Sequence, residues 1–143
     1  MLTPTPDDTV PIADEELLYR RLPISMDWSD PVSSAKLSPN AFRPRDVDET
    51  GISVVRGHPY NTIEEAARGT SKKGYYIAVL RARDLRQNGI VVVPRPDPGT
   101  CGHAEITSIN AANRDTDEGK KIIEMLSHKL CLRVEGPFHK PTP

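Results

Sequence analysis

The spacing of apolar and polar positions along the chain predicts most of its elements. Residues 74–80 alternate Tyr75, Ile77 and Val79 with Tyr76, Ala78 and Leu80, which predicts a strand apolar on both faces. Residues 17–22 read as a strand with Leu18, Arg20 and Leu22 on one face and Leu17, Tyr19 and Arg21 on the other, ended by Pro23. Residues 52–56 form a short β-branched strand. The continuous apolar run 90–93 is expected of a strand buried on both faces. In 103–109, Ala104, Ile106 and Ser108 share one face and His103, Glu105 and Thr107 the other. A last strand is expected over 131–135.

The helical signals are fewer. Thr62 and Glu65 have capping-box spacing ahead of a short helix that Gly69 stops. Residues 81–88 allow two turns closed by Asn88-Gly89. Residues 116–130 predict the best helix, capped by Thr116, with an apolar stripe of Ile122, Ile123, Leu126 and Leu130. Strands and helices are interspersed without strict alternation. That order predicts a single α+β domain, a mixed or mostly antiparallel sheet of about five to six strands with two to three helices packed on it. The domain is expected over 14–135. The proline-rich polar ends, 1–13 and 136–143, read as flexible tails because they have little to bury against their ordering entropy. Between 24 and 48, Asp30-Pro31, Ser38-Pro39 and Arg43-Pro44 break any period. This long loop should wrap over the core, anchored by Trp28 and Phe42.

Composition narrows the function classes. The chain has 143 residues, the size of one domain, and 14 prolines concentrated at the ends and in loops. Its 19 basic and 20 acidic residues create no global field to gather phosphate or anionic lipid, so nucleic acid is not favoured. No apolar run approaches a membrane span, and no basic, apolar leader opens the chain. Cys101 and Cys131 form no C-x-x-C pair. A cytoplasmic protein without metal or cofactor is the expectation.

Two constellations carry candidate chemistry. Cys101-Gly102-His103-Ala104-Glu105 contains the H-A-E of zinc deaminases but lacks the downstream P-C-x-x-C. The plainer reading is a strand with a histidine and a glutamate on its polar face. His58, beside Pro59 and Tyr60, reads as surface packing, and Arg81, Arg83 and Arg86 as a solvated helical face with Asp84 interleaved. Arg20, Ser53 and Glu105 fall on the first, second and fifth strands, in the order of the R-S-E class of ADP-ribosyltransferases, which they resemble. That resemblance implies Arg20 on an NAD phosphate or ribose, Ser53 shaping the nicotinamide pocket, and Glu105 stabilising oxocarbenium charge. The plainer reading pairs Arg20 with Asp14, Glu15 or Glu16. The chain departs from the class where it has Ile52-Ser53-Val54 for S-T-S and His103-Ala104-Glu105 for E-x-E or Q-x-E.

Tyr19-Arg20-Arg21, Ser33-Ser34-Ala35, Phe42-Arg43-Pro44, residues 48–54 and His103-Ala104-Glu105-Ile106 together resemble a group of short bacterial proteins of no assigned activity. The resemblance implies a bacterial accessory protein that works beside a larger partner. The reading favoured is therefore a small interaction domain that binds a macromolecular partner, expected to be a protein, without catalysis. Its binding residues would be His103, Glu105, Trp28 and Arg43. The alternative is an NAD-consuming or ADP-ribosyl-transferring enzyme built on Arg20, Ser53 and Glu105.

Overall fold

A computed structural model describes residues 7–28 and 37–140. The Ser33-Ser34-Ala35 motif and the outermost residues, 1–6 and 141–143, lie outside them. Six strands, β1 (Leu17–Pro23), β2 (Ile52–Arg56), β3 (Gly74–Arg81), β4 (Val92–Pro94), β5 (His103–Ile106) and β6 (Arg133–His139), form one sheet in the order β4-β5-β2-β1-β3-β6. Every neighbouring pair is antiparallel. Three helices accompany it: α1 (Ile63–Ala66), α2 (Ala82–Gln87) and α3 (Asp117–Glu124). The architecture is the single α+β domain expected. Among the described residues no helix is long and apolar enough to cross a membrane.

Alternation along the strands gives the sheet two covered faces. Leu18, Leu22, Ile52, Val54, Ala78, Leu80, Ala104 and Ile106 point to the larger core, where α2 contributes Leu85 and α3 with its extension contributes Ile123, Leu126 and Leu130. The smaller cluster on the opposite face joins Tyr19, Val55, Tyr75, Ile77 and Val79 to Ala66 and Ala67 at α1. The long loop is pinned as its apolar residues predict: Phe42 is fully buried at the end of a 3-10 turn (Pro39–Phe42), and Trp28 packs on the larger core. The caps also form. Thr62 and Glu65 complete a capping box, and the Thr116 hydroxyl accepts from the Gly119 amide.

Four details differ from the sequence reading, each for a physical reason. The run 90–93 is not buried on both faces: Val91 is half exposed, because β4 is an edge strand paired only with β5. Helix α3 ends at Glu124 and widens into a π-type turn, Met125–Leu130, where the Ser127 hydroxyl bonds the carbonyls of Ile123 and Glu124. The last strand begins at Arg133 and runs to His139, so residues 136–139 are sheet and not tail. Pro137 is tolerated there because β6 is an edge, where a missing amide costs no ladder bond. Residues 7–13 are also held: Ile12 lies in the larger core, and the carbonyls of Asp8, Val10 and Pro11 accept bonds from Arg56.

The two arginines on α2's polar side serve this same segment. Arg86 donates to Asp14 at 2.7 Å and Arg83 lies 3.4 Å from Glu15. The face is solvated as expected, and its arginines also clasp the residues before β1.

Candidate functional site

A cleft of about 830 Å³ opens where the start of the long loop, the 3-10 turn and the segment before β3 meet over β1. Six cationic side chains line it: Arg20 and Arg21 from β1, Arg43 and Arg45 from after the 3-10 turn, Lys72 and Lys73 from before β3. Among the described residues that line it, none is a carboxylate. Trp28 forms one wall, its Nε1 donating to the Pro23 carbonyl at 2.8 Å.

Each cation is placed by a definable local cause. Arg20 falls on the face of Leu18 and Leu22, but β1 and β2 keep register only at Leu18–Arg56 and Tyr19–Val55. The strands part beyond Tyr19, and the Arg20 guanidinium fills the opening, donating to the carbonyls of Ser53 (2.9 Å) and Ala41 (3.2 Å). Desolvation pulls it down to about 10, with Asp48 opposing; it stays charged at neutral pH. The expected partnership of Arg20 with Asp14, Glu15 or Glu16 does not form. Glu16 instead pairs with fully buried Arg56 at 2.6 Å. Arg21 donates through Nε to the Ala66 carbonyl, and burial lowers its pKa too. Arg43 pairs with Asp115 at 2.9 Å and Arg45 with Asp48 at 3.5 Å, both from outside the cleft. The Lys72-Lys73 loop is held by the Tyr75 phenol, which accepts from the amides of Thr70 (3.0 Å) and Ser71 (2.9 Å). Burial opposes ionisation of that phenol, but the two amides outweigh it and lower its pKa.

A smaller cavity of about 250 Å³ adjoins the cleft, sharing Arg20, Arg21 and Ser53 with it and adding His103. Register makes this meeting possible. Val55 pairs with His103 and Ser53 with Glu105, so Ser53 and His103 are diagonal neighbours on one face. His103 Nε2 lies 3.0 Å from Ser53 Oγ, and its Nδ1 lies 2.7 Å from the Arg95 carbonyl. Glu105 is held apart: its Oε1 accepts from Thr50 Oγ1 at 2.6 Å and lies 3.8 Å from Arg95 Nε.

Of the residues singled out in the sequence, Arg20, Ser53, Trp28 and Arg43 line the larger cleft, and His103 joins Arg20 and Ser53 in the smaller cavity. Glu105 lines neither. Glu105 nevertheless sits directly across the strand pair from Ser53, with its carboxylate on Thr50 and Arg95. Arg21, Arg45, Lys72 and Lys73 escaped sequence reasoning. Their only signals were the adjacent basic pair before a strand and the Arg-Pro-Arg spacing of residues 43–45. Among the described residues no group of three or more His, Cys, Asp or Glu is placed to hold a metal ion. Burial raises the thiol pKa of both Cys101 and Cys131, which disfavours the thiolates a metal would need. No protein-family model, curated protein or solved structure matches this chain.

Proposed function

We propose that this chain is a binding domain whose basic cleft receives an acidic segment of a protein partner. One observation carries the reading: among the described residues, six cations and no carboxylate line a cleft on a molecule whose formal net charge is only −1. A concentration of one sign in a recess, on a molecule near neutral overall, selects an opposite charge locally. A long polyanion such as nucleic acid would instead need a basic stripe extending beyond the cleft. Arg20 and Arg21 are fixed by carbonyl acceptors and so are pre-oriented, which lowers the ordering cost of binding. Trp28 supplies an apolar wall against which a peptide side chain can lie.

The test is fluorescence anisotropy with a labelled oligoglutamate peptide and, in parallel, a labelled single-stranded oligonucleotide of equal charge. Saturable binding of the peptide that Lys72→Glu with Lys73→Glu abolishes supports the reading. No binding of the peptide, or clearly tighter binding of the oligonucleotide, overturns it.

A further inference from the structure

The Ser53–His103 pair has a geometry that anion binding does not require. A carbonyl oxygen only accepts, so the 2.7 Å contact to Arg95 assigns the proton of neutral His103 to Nδ1. Nε2 then presents its lone pair to the Ser53 hydroxyl 3.0 Å away. The Arg95 amide in turn donates to the His103 carbonyl at 2.9 Å, so one residue clamps the backbone and the ring of the histidine. The result is a hydroxyl, a base that accepts its proton, and a third group that fixes the base's tautomer. That is the ordering of an activated nucleophile. Ser53 is exposed, and it opens into the cavity also lined by Arg20, Arg21 and one carboxylate, Asp97. The cross-strand Glu105 would oppose charge developing at Ser53, but Thr50 and Arg95 engage its carboxylate.

We propose that Ser53 and His103 form a nucleophile–base dyad that hydrolyses carboxylic esters bearing a negatively charged group. The dyad stands on its own geometry; the choice of an anionic ester rests on the cleft reading above. Ser53 Oγ attacks the ester carbonyl as its proton passes to His103 Nε2, and the carbonyl electron pair moves onto oxygen beside the Arg20 and Arg21 guanidiniums. Collapse breaks the ester C–O bond, and the leaving alcohol takes the proton from His103. Water then adds to the acyl-Ser53, with His103 accepting its proton and returning it to Ser53 Oγ as the carboxylic acid departs.

The experiment uses the full chain, a fluorophosphonate probe with the labelled residue mapped by mass spectrometry, and two substrates, 4-nitrophenyl acetate and 4-nitrophenyl hemisuccinate. The expected result is a label on Ser53, abolished in Ser53→Ala and His103→Ala. Hydrolysis should fall by about 100-fold or more in both, the scale on which a positioned base acts. His103→Gln replaces His103→Ala if the latter melts early. The hemisuccinate should turn over faster than the acetate, and Lys72→Glu with Lys73→Glu should remove that preference. An unlabelled Ser53, or labelling unchanged by His103 substitution, overturns the dyad. A labelled Ser53 with equal rates on both esters overturns the anionic substrate class and leaves the dyad standing.

Discussion

Two buried polar residues decide how the chain around the cleft is held. Arg56 is fully buried, ion-paired to Glu16, bonded to three carbonyls of residues 8–11, and stacked 4.3 Å over the Tyr60 ring. Arg56→Ala orphans Glu16 and those carbonyls together, and breaking a buried pair from one side costs roughly 3–5 kcal/mol. Chemical denaturation should show a loss of that size, and limited proteolysis should newly cut among residues 7–13. An unchanged midpoint would mean that Ile12 and the bonds from Tyr60, Gly102 and Arg86 hold the segment without it. Tyr75 has a smaller task of the same kind. Tyr75→Phe deletes the one acceptor for the Thr70 and Ser71 amides, and leaving donors unpaired costs about 1–3 kcal/mol. Because Lys72 and Lys73 ride on this loop, peptide affinity should fall as well as the melting temperature. Stability lost with affinity intact would separate the loop from recognition.

At the level of elements, Leu126 tests the packing of the final helical segment. It is fully buried in the larger core, so Leu126→Ala should cost roughly 2–5 kcal/mol. Thermal melts coinciding with the parent would deny that packing. The strands and helix starts whose period is strong were legible in the sequence. The Ala104 and Ile106 alternation fixes β5, and the Thr62 and Thr116 caps fix two helix starts. What failed was whatever depends on position within the sheet. Val91 reads as core until β4 proves to be an edge, and Gly136-Pro137 reads as a stop until β6 proves to be the other edge. The cleft was least legible. Local pattern placed His103 and Glu105 on one face, but only the β2–β5 register brings Ser53 to them, and only the parting of β1 from β2 decides where the Arg20 guanidinium goes. Lys72 and Lys73 meet Arg43 and Arg45 through tertiary structure, across a separation no periodicity spans.

For the molecule as a whole, near-neutral charge with one basic recess predicts a particular salt response. Peptide binding should weaken steeply from low to physiological ionic strength, as partly exposed charges are screened over about 8–10 Å, while the melting temperature moves little. Affinity insensitive to salt would point to Trp28 and apolar contact as the driving force. The sheet order β4-β5-β2-β1-β3-β6 has a further consequence for biosynthesis. The three central strands are made first, and both flanks are supplied by the C-terminal half: β5 closes onto β2 about fifty residues later, and β6 onto β3 about sixty. While the ribosome is still translating, the nascent β1–β2–β3 unit exposes a bare ladder on each side, open to pairing with neighbouring chains. Chains released by premature termination before residue 100 should accordingly be recovered in inclusion bodies or bound to chaperones.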